Sequence, residues 1–522
     1  MGMVALEQRI ASAYVIVFGI HGDITRQAQQ RGVSRQRVYR EHVAVVTALA
    51  GTAWQQEKAE RQRRIQELEE RNAALEERLS QAVVVDKEKQ KEFASVAQAV
   101  GVGLPTCRIL LEVLLGQRAP QVSTLGRWTQ AAGQKAGELL AVLDAFTCDQ
   151  VKQAVADEIY TQKPVLMVVE PESLCWVSGR LVSGASAAEW TGELEKLPQL
   201  QQVTHDAGTG LSKGVADWNR QRAAQGLTPV ADQLDHFHTL REGGRVVGRA
   251  ERQARGALTA VDKAEAEHLR RQRHGQPLPG SHTRVRACWA KASKAMDAWQ
   301  AREKAWHKVQ EAVQLVTPAG ELNTRAQAEA ALAATLPQLP DAEFAKAKRL
   351  LQQPQTLTYL DEVHRRLQAL PVPAEVRATA IQQETLRRRP ELLQGDTARA
   401  ATLRGVLLLC AVILAKAGVV GQQAVEGVRS IFRNTWRASS LVECLNSAVR
   451  MQQARHRKMT QGLLHLKRLY WNTHTFRTGR RRGTSPYQRL GLPWLPGLGW
   501  WDLLKWTPEQ LREKLSALRN SE

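Results

Sequence analysis

Gln153-Ala154-Val155-Ala156-Asp157-Glu158-Ile159-Tyr160 and Pro164-Val165-Leu166-Met167-Val168-Val169-Glu170 decide how this chain is read. Most of what precedes and follows them repeats at helical spacing. Here the runs become short and Val-rich, with turn residues between them. Thr161-Gln162-Lys163 separates the first run from the second, and Pro171-Glu172-Ser173 separates the second from Leu174 to Val182. The pattern predicts three successive strands joined by hairpins. Ala187 to Leu194 reads as a short helix. Leu200 to Thr204 reads as a fourth strand and Leu234 to Phe237 as a fifth. Strands inside a mostly helical chain predict an α/β class with a mixed sheet.

Working outward, the N-terminal side is helical. Ile24 to Arg40 has a helix-turn-helix layout: a short helix with small Ala28, a turn with Gly32, then Ser34 placed to cap a second helix. That helix would offer Arg35, Gln36, Arg37 and Arg40 to DNA. A plain helical hairpin with a solvated basic face is the bland alternative. From Glu57 to Val83, Ile65, Asn72 and Leu79 fall at heptad position a, and Leu68, Leu75 and Ala82 at d. An Asn at one a position suits a two-stranded coil; an intramolecular hairpin would bury the same seam. Val100 to Leu143 offers a second, weaker helix-turn-helix, with Ser123 as a cap before Thr124, Arg127 and Trp128; a structural role fits equally.

On the C-terminal side, about Leu240 to Gly427 is expected to be a helical insertion. It breaks near Pro277 to Gly280, Pro337 to Pro340 and Pro371 to Pro373. Gly405 to Ala415, flanked by Arg404 and Lys416, is expected to be a buried helix too short to span a bilayer. Next comes Arg437-Ala438-Ser439-Ser440-Leu441-Val442-Glu443-Cys444-Leu445-Asn446-Ser447-Ala448-Val449-Arg450. Leu441, Leu445 and Val449 share one helical stripe, and Glu443, Asn446 and Arg450 another. From Arg450 to Leu490 there are eleven Lys and Arg and no Asp or Glu, interleaved with Tyr470, Trp471, Phe476 and Tyr487. Such a segment, with Arg450, Arg455, Arg457, Lys458, Arg480, Arg481 and Arg482, suits a nucleic-acid backbone. The tail carries Trp494, Trp500, Trp501 and Trp506 without an evident role.

The 522-residue chain has a net charge of +21 and a pI near 10.0. Nucleic acid is the commonest polyanion such a soluble chain meets. The six cysteines are scattered with no C-x-x-C, which argues against a zinc site and fits a reducing cytoplasm. No secretory leader is expected, because the start lacks a basic segment followed by a small-residue cleavage site.

Three carboxylates have contexts that suit metal chemistry. Asp157 lies in the first strand, Asp206 ends the fourth before a Gly-rich turn, and Glu443 sits on the late helix. A mixed sheet could bring all three to one edge, where they could hold divalent ions such as Mg²⁺. Each has a bland rival. Asp157 beside Glu158 could be a surface pair, and Asp206 before Gly208 a turn former. Ser440-x-x-Glu443 could be a capping box. Asp149 is a poorer first acid, since no hydrophobic strand surrounds it. His236 and His238, alternating on the fifth strand, could bind metal with Asp232, although packed histidines are commoner.

These residues resemble bacterial insertion-sequence transposases of the DDE type. Val155 to Glu170 resembles their first catalytic strand. His205-Asp206-Ala207-Gly208-Thr209-Gly210-Leu211-Ser212-Lys213-Gly214 resembles their second acidic motif, and Leu234-Asp235-His236-Phe237-His238 the segment after it. Ser439 to Ser447, with Asn472, Arg480 to Gly483 and Ser485-Pro486, resembles the third. The resemblance covers roughly 151–238 and 428–492. It implies an RNase H-like fold and Asp157, Asp206 and Glu443 as catalytic, metal-binding acids for two Mg²⁺ (or Mn²⁺), with Asp235, His238 and Asn446 as accessory residues. It also implies cleavage at transposon ends and transfer of the freed 3′-hydroxyl into target DNA. The expected partners are double-stranded DNA and further copies of the chain, as a homodimer or higher assembly, with no membrane. The expected place is the bacterial cytoplasm, on the nucleoid. Two departures stand out: Ala207 replaces a commonly polar residue, and the second and third acids lie far apart in sequence.

The resulting division is 1–50 helix-turn-helix, 51–98 coiled-coil helix, 99–148 second helical unit, 149–240 first catalytic part, 241–427 helical insertion, 428–495 second catalytic part with the basic segment, and 496–522 Trp-rich tail. A non-catalytic DNA-binding protein derived from a transposase, or a nuclease of the same fold, is the rival reading, since a fold does not choose its substrate.

Overall fold

The structure, a computed structural model, describes residues 3–81, 84–393, 397–455, 459–492 and 499–520. The chain divides into two compact units, Met1–Asp86 and Lys87–Glu522.

The first unit has three helices, α1 (Met3–Phe18), α2 (Asp23–Gln30) and α3 (Arg35–Gln81). The turn between α2 and α3 needs Gly32, whose φ is +62°. Ser34 Oγ then accepts from the Arg37 amide at 3.3 Å and caps α3. Ala28 and Val38 are buried where the helices meet. A polar clamp ties all three: Arg31 pairs with Glu41 at 2.9 Å, and Ser12 donates to Glu41 at 2.8 Å. The Arg31 hydrogen bond leads in holding the Glu41 carboxyl down at about 2, well below its usual range. The second helix of the helix-turn-helix and the heptad segment are one continuous helix, with no break near residue 50. Its seam residues Ile65, Leu68, Asn72, Leu75 and Leu79 are exposed, so among the described residues no helix of this unit forms the alternative intramolecular hairpin.

The second unit is an α/β assembly, largely helical, around a five-stranded mixed sheet. It opens with α4 (Lys87–Ala99), α5 (Leu104–Leu115) and α6 (Val122–Thr147). Ser123 lies inside α6 and Gln121 takes the cap position. Leu139, Leu140 and Leu143 of α6 join the core under the sheet, so this helix is structural. The strands are β1 (Gln153–Tyr160), β2 (Pro164–Glu170), β3 (Cys175–Leu181), β4 (Gln202–His205) and β5 (Ala231–Leu234), with α7 (Ala187–Leu194) and α8 (Thr209–Ala224) between them. Their order is β3-β2-β1-β4-β5. β1, β2 and β3 pair antiparallel; β1, β4 and β5 pair parallel. β1, β2 and α7 have the expected bounds, β3 is one residue shorter at each end, and β4 starts two residues later and ends one later than expected. The fifth lies three residues earlier than expected, because Asp235 caps a helix and ends the strand.

Alternation along β1 splits its side chains between two cores. Ala154 and Ala156 face the α6 side, and Val155 and Ile159 the opposite side.

The helical insertion follows. α9 (His236–Arg273) and α10 (Pro279–Ala312) form a long hairpin. After it come α11 (Arg325–Thr335), α12 (Asp341–Leu351), α13 (Thr358–Gln368), α14 (Ala374–Leu386), α15 (Ala398–Lys416) and α16 (Gly418–Arg433). The proline breaks fall between helices, as expected. The insertion has its own core, with Trp306, Phe344, Tyr359 and Phe432. It is tied to the sheet edge through buried Gln233, which donates to the Thr356 carbonyl and accepts from the Tyr359 amide at 2.6 Å.

α15 departs from expectation. The helix is 19 residues long, continuing N-terminal to the apolar run through Arg404 and Arg399. Only Ala400, Cys410 and Leu414 are buried; Leu408 is 67% exposed and Leu409 59%. Among the described residues it is the one helix long and apolar enough to cross a membrane.

The chain returns through α17 (Ser440–Arg455) and α18 (Gln461–Thr473), then α19 (Pro486–Arg489), α20 (Trp500–Leu503) and α21 (Pro508–Arg519). α17 packs Val442, Leu445 and Val449 onto Val155 and Ile159 of β1. α18 crosses α6 at two glycines; a Cβ on Gly133 would stand 2.4 Å from the Gly462 carbonyl oxygen. Trp500 and Trp506 pack against the sheet core, so the described part of the tail completes that core.

Candidate active site

The central strand and its parallel neighbour set the first two acids side by side. The register pairs Ala156 with His205, so the next residues, Asp157 and Asp206, emerge together beyond the end of β4. In open α/β sheets, ligands bind outside such carboxyl ends. Asp157 shares its face of β1 with Val155 and Ile159, the face that α17 covers. It is buried. Its Oδ2 accepts from Asn446 Nδ2 of α17 at 2.6 Å, and its Oδ1 from the Glu158 amide at 2.8 Å. Burial, followed by the neighbouring Asp206 charge, pushes its carboxyl up to about 6.

Asp206 Oδ1 accepts from the Gly208 amide at 3.0 Å. Gly208 leaves this turn open: a Cβ there would stand 2.9 Å from Asp206 Oδ1 and 3.6 Å from Glu158 Oε1. Glu158 is thus a further carboxylate at this edge. Tyr160 Oη donates to it at 3.0 Å, and burial raises its pKa, with the Asp206 charge adding to the rise.

Asp235 ties the two halves of the unit together. It accepts from the His238 amide at 3.1 Å and so caps α9. It also accepts from the Ser439 amide at 2.7 Å, from the Ser439 hydroxyl, and from His238 Nδ1 at 2.9 Å. Burial pushes its carboxyl up, but these hydrogen bonds outweigh it and leave the pKa below its ordinary value. His238 is held above its ordinary pKa, first by the Asp235 hydrogen bond and further by the Asp157 and Asp206 charges. His238 therefore stands beside the acids.

The capping role expected for Ser440 and Glu443 is not met. α17 begins at Ser440, so the cap position falls on Ser439, whose hydroxyl is spent on Asp235. Three residues on is Val442, an apolar side chain in the core. Glu443, half-buried in the first turn, makes no hydrogen bond or ion pair among the described residues. It lies one turn before Asn446 on the same helical face.

The histidine alternative separates into unrelated contacts. His236 begins α9 instead of alternating with His238 on a strand. It is buried with Nε2 2.6 Å from the Thr356 carbonyl, and burial pushes it down to about 4. Asp232 pairs with His205 at 2.7 Å. Among the described residues, no three His, Cys, Asp or Glu converge into a ready-made metal site. The donor set nevertheless suits a hard divalent ion: carboxylate oxygens gathered at one edge, where the Asp206 charge adds to the rise at Asp157 and Glu158.

The basic segment is more structural than its composition suggests. Lys467 is buried against the Ala99 carbonyl, and Arg468 against Asp144 and the Trp176 carbonyl. Tyr487 is fully buried, and Trp471 Nε1 donates to the Leu174 carbonyl at 2.9 Å. Asn472 bridges the Trp176 amide and carbonyl on the edge strand. Arg481 donates to the Glu172 and Pro171 carbonyls at 2.9 Å each, pinning the β2–β3 turn. Arg450, Arg480 and Arg482 are exposed, as are Arg35, Gln36, Arg37 and Arg40. Arg457, Lys458, Trp494 and the side chain of Arg455 lie outside the described residues.

Sequence reasoning missed Ser439 and Glu158. Ser439 carried a signal, a hydroxyl before a helix, but its partner is 204 residues away. Glu158 entered only as a possible surface partner of Asp157, since nothing local showed that its carboxylate would reach the Gly208 turn. No protein-family model matches the chain, and no curated protein matches it.

Proposed function

We propose that the chain is a DDE-type transposase with an RNase H-like catalytic domain, in which Asp157, Asp206 and Glu443 form the metal-binding set. The observation that carries this reading is the joining of Asp157 and Asp206 on neighbouring parallel strands, with Asn446 of the Glu443 helix bonded to Asp157. The strand order, with three antiparallel strands followed by two parallel ones, supports the same fold. Two Mg²⁺ ions, or Mn²⁺, bound there would clamp the attacking and leaving oxygens of an in-line phosphoryl transfer. The protein's own part is positional. Asn446 orients Asp157, the Gly208 amide orients Asp206, and Asp235 holds His238 beside both. Asp235 also fixes Ser439, and with it the start of the helix that carries Glu443. The substrate is double-stranded DNA, at transposon ends and target, acted on by an assembly of copies on the bacterial nucleoid.

A non-catalytic DNA-binding protein is the second reading, favoured by the lack of three converged metal-binding side chains among the described residues. Cleavage assays on duplexes carrying the inverted repeats that would flank this reading frame separate the two. Mg²⁺-dependent nicking at the repeat ends supports the transposase. Binding without nicking supports the rival, and nicking of RNA alone supports a nuclease of the same fold.

A further inference from the structure

The first half of α9 carries Arg241, Arg245, Arg249, Arg252 and Arg255 at spacings of four, four, three and three. At 3.6 residues per turn they fall on one face. All five are exposed. The opposite face is the buried one, with Gly243, Ala250, Ala254, Ala257 and Val261. The acids between 237 and 263, Glu242, Glu251 and Asp262, lie along the margins of this face and not at its centre. Its residues run directly on from His238, which is bonded to Asp235; the Asp235 amide in turn donates to the carbonyl of His205, the residue before Asp206. Arg245 has Glu242 and Arg255 has Glu251 as ion-pair partners along the helix. Arg241 stacks over Phe237, and Arg249 lies near Glu343, which Arg302 already holds. A solvated surface needs no such alignment.

Glycines give an independent sign. Gly244, Gly248 and Gly256 interrupt the same face, each weakening the helix relative to Ala. Packing explains Gly243, where a Cβ would strike Trp306 at 2.2 Å. It does not explain the others: a Cβ at Gly244 or Gly256 meets nothing within 4 Å, and one at Gly248 only Arg252 at 3.7 Å. Small residues between arginines let another backbone come close.

We infer that this face of α9 is a rail for one strand of duplex DNA, leading its phosphates to the Asp157–Asp206 edge. The rise from His238 to Arg255 is ~26 Å, the length of about seven phosphates of one strand. The inference rests on the proposed function for the identity of the polyanion and extends it to the insertion.

The test titrates the full chain onto a duplex of about 30 base pairs over a range of salt, without divalent metal. The rail variant is Arg241→Gln/Arg249→Gln/Arg252→Gln. The control, Lys291→Gln/Lys294→Gln/Lys308→Gln on exposed positions of α10, removes the same charge off the rail. The salt slope of the rail variant should fall by about 2.7, at about 0.9 per contact, while the control stays near wild type. An unchanged rail variant, or an equal fall in the control, overturns the rail. So does a fall seen on duplex RNA but not on DNA. Gly244→Gln/Gly256→Gln changes no charge and should raise helix stability while weakening DNA binding; wild-type affinity there overturns the close approach. Cleavage is scored separately. A slope loss without any wild-type cleavage keeps the rail and sinks the transposase; cleavage with unchanged slopes does the reverse.

Discussion

Asp157 and His236 show how the same helix-sheet junction treats two titratable side chains differently. Asp157 is buried beside Asp206, so its carboxyl rises first through burial and then through the neighbouring anion. His236 is buried against a carbonyl and Arg437, and burial alone accounts for most of its fall to about 4. The sign follows from proton uptake. The unfolded histidine binds its proton near 6.5 and the folded one only near 4. Stability is therefore lost as pH drops through that window, by up to about 3 kcal/mol. His236→Gln can still donate to the Thr356 carbonyl and cannot titrate. Chemical denaturation between pH 7 and about 4 should show a shallower loss in the variant; parallel curves would remove His236 from the account. Asp157 and Asp206 were legible in sequence because a strand and a Gly-rich strand end leave local marks. Ser439 and Asn446 were only half legible. Their types and helical placement are local, but their partners lie across the insertion. Tyr487 and Arg468 were misread, because a side chain's composition does not say whether it is buried.

Elements were legible where the period was clean. β1, β2 and α7 were placed to the residue, while β5 slipped because Ala231-Asp232-Gln233 is polar and Asp235 doubles as a helix cap. α15 was expected to be buried because its apolar run is continuous, yet nothing local says whether a neighbour covers it. α3 leaves its heptad seam bare, which motivates a second copy as partner. Leu68→Lys/Leu75→Lys should convert the full chain from dimer to monomer in sedimentation, because Asn72 at an a position favours a matching Asn across the seam; a monomeric wild type rules the coil out. Within the basic segment, Arg480→Gln/Arg482→Gln should lower the DNA salt slope by about 1.8. Arg481→Gln should instead lower the thermal midpoint, since it frees two carbonyls of the β2–β3 turn. Equal slopes in wild type and the double variant would place Arg480 and Arg482 off the DNA.

The molecule as a whole combines a net charge of +21 with a sheet whose acids gather at one edge. That opposition is what a DNA-cutting enzyme needs: positive charge to hold a polyanion, and a small anionic spot to hold the metal at the bond. The chain leaves the sheet at Asp235 and returns at Ser439, 204 positions later, and the two are bonded to each other, so the insertion need not move the start of the helix that carries Glu443. The most direct measurement of this account is Mg²⁺-dependent cleavage of repeat-end DNA by Glu443→Gln, read beside its thermal midpoint and DNA affinity. Gln keeps the size of the side chain and removes only its charge. The account predicts wild-type folding and binding with cleavage abolished, and the same for Asp157→Asn and Asp206→Asn, without multiplication when the three are combined. Full cleavage by Glu443→Gln, or a loss of activity no greater than its loss of stability, would contradict it.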